Sequence, residues 1–276
     1  MTLRSANTSV TASDRDPERG PAPKASGYRY SEAFYRYIES GALRSAKAVI
    51  PLVLRELTPV SVLDVGCGAG AWLSEYQNQG ISHYCGVDGA YVQSKSLRIP
   101  AEHFQSQDIS QKFDLDRRFD VVQCLEVGEH IPAAFSGTLI ENLTRHSDKI
   151  LFSAATPGQG GENHVNEQPH EFWRLLFARQ GFKPFDLFRP MVKGNTLVES
   201  WYRRNIILYV AEVSIPALPQ AILESAIPDN QAIPEITSVF HKAQSRVVSL
   251  LPVWCVSMIA LVKHSIVIAY RSLRNI

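Results

Sequence analysis

The chain has 276 residues, of which 45% are apolar and 20% charged, and its formal net charge is +1. This length and composition fit one large globular α/β domain with extensions, or two small domains. A net charge so near zero gives no broad basic field, so we expect no nucleic-acid partner. The four cysteines lack the C-x-x-C spacing of zinc and redox motifs, which favours buried, reduced thiols in a cytoplasmic protein.

The N-terminal part is predicted to contain an arm and a helical cap. Residues 1–27 have no apolar stretch of the secretory type, and their small and polar composition predicts a disordered arm. Residues 28–57 have apolar side chains at helical spacing and form the predicted cap. Ser31 is its expected N-cap, and Gly41 is expected to break it into two helices.

Short apolar strands alternate with helices between residues 58 and 213. Strands are predicted at 61–66, 83–88, 103–108, 119–127 and 149–156, and helices at 70–79, 90–97, 133–146 and 169–180. Two more strands, at 183–192 and 205–213, follow with no predicted helix between them. The pattern therefore predicts an α/β, Rossmann-like, seven-stranded and mostly parallel sheet with a terminal antiparallel strand pair and helices on both faces.

The C-terminal part has two predicted segments. Residues 214–246 contain four prolines and are expected to form a linker with short helical pieces. Residues 247–276 are expected to form an apolar helical tail. The stretch 247–270 would pack on the domain, form a homodimer contact, or make a peripheral membrane contact. Pro252 and Lys263 argue against a membrane span.

The sequence VLDVGCGAG, at 62–70, places Gly66, Gly68 and Gly70 directly after the first predicted strand. Glycine allows the chain to turn there and allows a ligand to approach the backbone at the start of the next helix. With Ala71, the spacing also satisfies a loose dinucleotide fingerprint. The glycines alone therefore leave a dinucleotide, a phosphate or another nucleoside open.

Three aspartates narrow this choice of ligand. Asp64 lies two residues before the first glycine, where it would repel a pyrophosphate but suit a ligand with ammonium and sulfonium charges. Asp88 ends the second predicted strand, where a carboxylate accepts ribose hydroxyls. Asp108 ends the third, where a carboxylate would meet an adenine amino group. The three acids together favour a nucleoside that carries methionine.

The ordered set VLDVGCGAG, YCGVD, SQDIS and FDVVQCLEVGEHIP resembles the successive motifs of class I S-adenosylmethionine-dependent methyltransferases, over about residues 28–213. The resemblance implies S-adenosylmethionine as cofactor, with the three glycines around its methionine moiety and Asp64 near its amino end. It also implies that Asp88 binds the ribose, that Asp108 binds the adenine, and that the backbone around Leu125 and Glu126 lies beside the sulfonium. The loop GQGGENHVNEQP resembles that of a bacterial subgroup.

A second group of polar residues follows the fourth predicted strand. Glu126, Glu129 and His130 would share one face if the strand runs into a helical turn, and the loop after the fifth strand would bring His164 to them. These four side chains would suit Mg²⁺ or Mn²⁺, with Zn²⁺ or Fe²⁺ as alternatives. E-x-x-E-H resembles the metal motif of small-RNA 3′-terminal 2′-O-methyltransferases and the equivalent stretch of ubiquinone-pathway O-methyltransferases.

A site without metal is the alternative interpretation of these residues. His130 or His164 would then act as the general base, or Glu126 and His130 would only stabilise the turn. Near the last strand, the aromatic and basic residues of WYRR, at 201–204, would line an acceptor pocket, bind an anionic group, or form a solvated hairpin tip.

The expected function is in-line transfer of a methyl group from S-adenosylmethionine to an oxygen of a small molecule or sugar, with nitrogen as an open alternative. An RNA 2′-O-methyltransferase and a non-catalytic nucleoside-binding or scaffold protein are the competing hypotheses. A dinucleotide-dependent oxidoreductase fits less well.

Overall fold

A computed structural model describes residues 32–92 and 96–236 and the single residues 252, 255 and 258, with side chains from residue 39 onward. The predicted disordered arm at 1–27 and almost all of the predicted tail at 247–276 lie outside the described residues. Among the described residues, no helix is both long and apolar enough to cross a membrane.

Seven strands form one sheet in the order β3-β2-β1-β4-β5-β7-β6. The strands are β1 Ser61–Val65, β2 His83–Asp88, β3 Phe104–Ser106, β4 Val121–Leu125, β5 Lys149–Ser153, β6 Phe182–Phe185 and β7 Ile207–Ala211. Strands β1 to β5 pair in parallel, whereas β7 runs antiparallel to both β5 and β6. The predicted fold class and its terminal antiparallel pair are confirmed.

Seven α-helices accompany the sheet in the part of the chain that the structure describes. They are α1 Glu32–Leu57, α2 Ala71–Asn78, α3 Ser136–His146, α4 His170–Arg179, α5 Phe188–Val192, α6 Ser200–Asn205 and α7 Gln220–Leu223. Alternate residues of β1 point to opposite faces of the sheet. Val62 packs in a core with α1, α2, α5 and α6, while Leu63 packs in a second core with α3 and α4. Helices therefore cover both faces, as a buried parallel sheet requires.

The prediction that Gly41 breaks the N-terminal cap is wrong, because α1 continues through it to Leu57. The glycine has a packing role instead. A Cβ atom at this position would lie 2.8 Å from Oε1 of Glu199. Glu199 also pairs with Arg44 at 2.5 Å, and its backbone N–H donates to Ser45 Oγ at 3.0 Å. Gly41 thus lets the segment before α6 approach α1 closely.

Two predicted elements near the sheet also need correction. The apolar run at 183–192 is not one strand, since β6 ends at Phe185 and α5 begins at Phe188. Both α5 and α6 lie between β6 and β7, where no helix was expected, because a short apolar run does not by itself distinguish a strand from a buried helix. The predicted helix at 90–97 is not α-helical at its described residues.

The described part of the predicted linker, 214–236, contains the expected short helical pieces and packs against the domain. Ile222, Ile227 and Ile233 are buried. Arg189 of α5, itself fully buried, holds both carboxylate oxygens of Asp186 at 2.7 Å and donates to the carbonyl of Pro234 at 2.7 Å. This segment therefore closes the outer edge of the sheet beside β6.

Candidate functional site

The glycine loop turns the chain between β1 and α2 with three left-handed backbone conformations, at φ angles of 81° for Gly66, 53° for Gly68 and 84° for Gly70. A Cβ atom at Gly66 would lie 2.3 Å from the side chain of Val127, so this position must remain a glycine. Apart from Gly68 itself and its two chain neighbours, no described residue has an atom within 4 Å of a Cβ built at Gly68. The loop therefore combines a closely packed turn with an open space in which a ligand can reach the backbone.

Asp64 of β1 lies beneath this loop and is only 3% exposed. Burial raises the pKa of its carboxyl to about 7, and the neighbouring Asp88 adds to the rise. Within the described part of the chain, its Oδ2 atom has no hydrogen-bond partner. A buried carboxyl of this kind gains most from a cationic ligand, because a nearby positive charge stabilises its ionised form.

Asp88 ends β2, as predicted, and bonds to the glycine loop. Its carboxylate accepts hydrogen bonds from the backbone N–H groups of Gly68 and Gly89, both at 2.6 Å, and from the hydroxyl of Tyr91. A ribose hydroxyl at Asp88 would compete with the Tyr91 hydroxyl for the same oxygen. No sequence motif points to Tyr91 as a partner of Asp88, although it lies three residues after the aspartate.

Asp108 lies in the loop after β3 and is exposed. Its Oδ1 accepts hydrogen bonds from the backbone N–H of Ser110 at 3.0 Å and from its hydroxyl at 2.6 Å. Asp108 thus shapes its own turn, in the manner usual for aspartate in loops. Its role toward adenine stays a prediction.

Leu125 is the last residue of β4 and is buried, and Glu126 follows it with a φ angle of 55°. A non-glycine residue at positive φ is uncommon and costs about 1 kcal/mol or more. The Glu126 carboxylate accepts hydrogen bonds from Asn205 of α6 at 3.1 Å and from Gln159 at 2.9 Å. Two distant segments of the chain therefore meet at this side chain.

Glu129, His130 and His164 form a compact group, which we call the histidine cluster, with one ligand atom from each residue within 4.8 Å of the others. The structure does not bring Glu126 into this group, which corrects the predicted four-residue set. Residues spaced i, i+3 and i+4 share one face only where the backbone is helical. The φ angle of Glu126 is positive instead, and its side chain bonds to Asn205 and Gln159. A short 3₁₀ helix, Gly128–His130, follows instead.

The two imidazoles of the histidine cluster are oriented by hydrogen bonds at their Nδ1 atoms. His130 Nδ1 lies 3.2 Å from the carbonyl oxygen of Asn163, and His164 Nδ1 lies 2.7 Å from Oε1 of Glu167. Both acceptors require a proton on Nδ1, so each neutral ring carries its lone pair on Nε2. Burial, together with His164, lowers the pKa of His130 to about 3, which keeps that ring neutral.

Glu129 contributes a buried carboxyl to the histidine cluster. It is 1% exposed, and neither of its carboxyl oxygens has a hydrogen-bond partner among the residues that the structure describes. Burial raises the pKa of Glu129 well above its usual range, and the charge of Glu126 adds to the rise. Two unpartnered buried oxygens and two lone-pair nitrogens form a donor set that fits a divalent cation, since such a cation would compensate the buried charge.

Glu167 is the functional residue that the sequence analysis missed. Besides accepting from His164, its carboxylate accepts from the backbone N–H groups of Gly158 and Gly160, both at 2.7 Å. A Cβ atom at Gly161 would lie 2.0 Å from Nε2 of His164, so this glycine makes room for the imidazole. Carboxylates that orient histidine ligands in this way are common around metal sites. The available signal was the H-x-x-E spacing itself.

His170, in contrast, opens α4 and is buried against the fold. Burial lowers the pKa of its imidazole to about 4, and the nearby Arg189 lowers it further. Its position is the one expected of a structural histidine at the start of a packed helix.

The comparisons with known proteins concern the family and the fold of the chain. A family model described as "Methyltransferase domain" matches residues 34–186. A ubiquinone biosynthesis O-methyltransferase of Neisseria meningitidis serogroup C (strain 053442) is 27% identical over 157 residues, which cover 51% of this chain and 62% of that protein. Its counterpart in serogroup A / serotype 4A (strain DSM 15465 / Z2491) is 26% identical over the same shares. The match thus spans less than two thirds of either relative.

Among solved structures, the sugar N-methyltransferase KedS8 from Streptoalloteichus sp ATCC 53650 superposes with a TM-score of 0.52 at 19% identity. The superposition covers 70% of this chain and 99% of the other. At this level of identity the likeness shows a shared fold.

Proposed function

We propose which group this chain methylates. The chain belongs to the family described as "Methyltransferase domain" and is an S-adenosylmethionine-dependent enzyme. The acceptor is a hydroxyl oxygen of a small molecule or sugar, and it is activated at the histidine cluster. The observation that carries the proposal is the set of two lone-pair imidazole nitrogens and an unpartnered buried carboxyl on Glu129. The similarity to ubiquinone biosynthesis O-methyltransferases supports oxygen as the acceptor atom.

On the donor side, the methionine end of S-adenosylmethionine lies against Gly68, where the open space is, and its ammonium group approaches Asp64. That contact requires the ionised form of Asp64, and its raised pKa means that ligand binding draws the proton off. The sulfonium then lies beside the backbone of Leu125 and Glu126, at the point where β4 ends.

Methyl transfer is an in-line displacement. The bond between the methyl carbon and sulfur breaks as the bond to the acceptor oxygen forms, and the electron pair stays on the sulfur of S-adenosylhomocysteine. The hydroxyl proton leaves the acceptor to solvent or to a base. In a site without metal His164 would accept that proton, since burial lowers the pKa of His130 to about 3 and such a ring has little affinity for a proton.

Glu129, His130 and His164 would hold a divalent cation in this proposal. When bound, such an ion lowers the pKa of the acceptor hydroxyl. Glu167 accepts a hydrogen bond from Nδ1 of His164 and so fixes that ring, which leaves Nε2 as the ligand atom. The same nitrogen cannot both bind a cation and accept the proton, so the metal-bound and metal-free forms of the proposal exclude each other.

The test measures S-adenosylhomocysteine release by the full chain with a catechol, a monophenol, a neutral sugar and an amino sugar. We expect turnover with hydroxyl acceptors, loss of that turnover with chelator, and recovery with Mn²⁺ or Mg²⁺. Turnover restricted to the amine would overturn the proposal of an oxygen acceptor. If turnover of a hydroxyl acceptor persists in the presence of chelator, the proposed cation is ruled out and His164 remains as the proposed base.

A further inference from the structure

Helix α6 carries two adjacent arginines, Arg203 and Arg204, next to the candidate site. The helix is fixed on both sides: Asn205 donates to Glu126 at 3.1 Å, and buried Arg189 donates to the backbone carbonyl of Arg204 at 3.1 Å. Both arginines are half-buried. Helix α6, which carries both guanidinium groups, is therefore fixed against Glu126, the residue that follows β4.

Neither guanidinium makes an ion pair within 4.0 Å, or a side-chain hydrogen bond, with any residue in the ranges 39–92 and 96–236. Nε of Arg203 is buried without a hydrogen-bond partner. The other buried arginines differ from this pair. Arg174 donates to the carbonyls of Pro228 and Gln231, and Arg189 donates to both carboxylate oxygens of Asp186.

The nearby acid, Glu126, does not form an ion pair with Arg203 or Arg204. The carboxylate oxygens of Glu126 are engaged by the amides of Asn205 and Gln159. Burial lowers the pKa of Arg204, and Glu126 opposes this shift only in part. Guanidinium groups that are partly desolvated and unpaired are unfavourable unless a ligand supplies the missing acceptor.

We propose that Arg203 and Arg204 form a subsite for an anionic group, a phosphate ester or a carboxylate, carried by the methyl acceptor. Planar guanidinium groups bind the oxygens of both groups through paired hydrogen bonds. The inference rests on the proposed function, because it assumes an acceptor bound beside Glu126. It adds that the enzyme selects acceptors that carry both a hydroxyl and an acid.

The subsite has one competing explanation that the same residues allow. S-adenosylmethionine itself carries a carboxylate, and the arginines would then belong to the donor site. The two explanations differ in which ligand loses affinity when the guanidinium groups are removed.

The test uses the full chain loaded with S-adenosylhomocysteine and titrates it with inorganic phosphate and, separately, with malonate, by calorimetry. The variants are Arg203→Gln, Arg204→Gln and the double substitution. Arg179→Gln and Lys112→Gln are matched controls, since both residues are exposed and neither makes an ion pair with a described residue. Arg203→Lys keeps the charge but loses the planar fork, and thermal unfolding verifies that each variant folds.

We expect the wild-type protein to bind at least one of the two anions. Replacing either arginine should weaken that binding about tenfold or more and leave the affinity for S-adenosylmethionine unchanged. The anion that binds more tightly, phosphate or malonate, indicates whether the acceptor carries a phosphate ester or a carboxylate. Equal anion affinity in variants and controls, or no anion binding by wild type, overturns the subsite. A loss confined to S-adenosylmethionine affinity assigns the arginines to the donor and also overturns it. If the wild-type protein does not bind S-adenosylhomocysteine at all, the proposed function itself is contradicted, and this result is distinct from a failure of the anion subsite.

Discussion

The two halves of the candidate site differ in how their geometry arises, and they are named here by their proposed roles as the donor half and the acceptor half. The donor half comprises the glycine loop with Asp64 and Asp88, and its shape follows from residues close in sequence and from the neighbouring strand. The acceptor half comprises Glu126 and the histidine cluster, and its shape depends on contacts between segments 33 and 79 residues apart. Motifs therefore describe the donor half well, whereas only the folded chain shows the acceptor half.

Replacing His164 by glutamine tests the acceptor half and has the largest expected effect. The imidazole Nε2 is lost, so we expect kcat to fall about 100-fold or more while the affinity for S-adenosylmethionine stays within twofold. Steady-state kinetics and calorimetry measure the two quantities. His83→Gln is the control because His83 is exposed at the start of β2. An unchanged kcat would remove His164 from the reaction.

Gly68→Ala tests the donor half. A Cβ atom there meets no protein atom but enters the space assigned to the ligand, so the dissociation constant for S-adenosylmethionine should rise by about tenfold or more. Gly80→Ala is the control, since Gly80 also has positive φ, at 93°, and an open surrounding. Both substitutions should lower stability similarly, by about 1 kcal/mol. Equal ligand affinity in the two variants would mean that the loop only turns the chain.

Glu167→Gln removes the carboxylate that orients His164 without removing the imidazole. We expect a kcat about tenfold lower, because the ring loses its fixed tautomer and direction. The matched variant is Glu141→Gln, at an exposed position of α3. If Glu167→Gln behaves like that control in steady-state kinetics, the hydrogen bond to His164 has no catalytic consequence.

The smallest effect concerns pH. Asp64 has a pKa of about 7 in the free chain and must ionise to meet a cationic ligand, so affinity is lost as pH falls below 7. We expect S-adenosylmethionine to bind about eightfold more weakly at pH 6 than at pH 7.5 by calorimetry. The variant Asp64→Asn should bind weakly with little dependence on pH in this range. A wild-type affinity independent of pH would show that Asp64 does not face the ligand.

The alternation of strands and helices up to β5, the antiparallel pair at the end of the sheet and the glycine loop were predictable because apolar periodicity and glycine chemistry act over a few residues. The errors have long-range causes. Gly41 was taken for a helix break because its reason for being glycine, the contact with Glu199, lies far away in sequence. The run at 183–192 fits a strand or a buried helix until its neighbours are known.

The site shows the same division. Asp64, Asp88 and the three glycines lie together as the motifs suggested, but Glu126 separates from Glu129 and His130 because its backbone leaves the helical region. Glu167 was not found, since its one signal, the H-x-x-E spacing, does not show by itself that the carboxylate accepts a hydrogen bond from the histidine. The arginines of α6 stood out in sequence, yet only the structure shows that neither forms an ion pair with an acid in the ranges 39–92 and 96–236.

The most direct test of the acceptor half is anomalous diffraction from crystals of the full chain grown with Mn²⁺ and S-adenosylhomocysteine. The account predicts a manganese peak within coordination distance of the Glu129 carboxylate and of Nε2 of His130 and His164, beside the bound nucleoside. A crystal with S-adenosylhomocysteine against Gly68 and no manganese peak at the histidine cluster would contradict it.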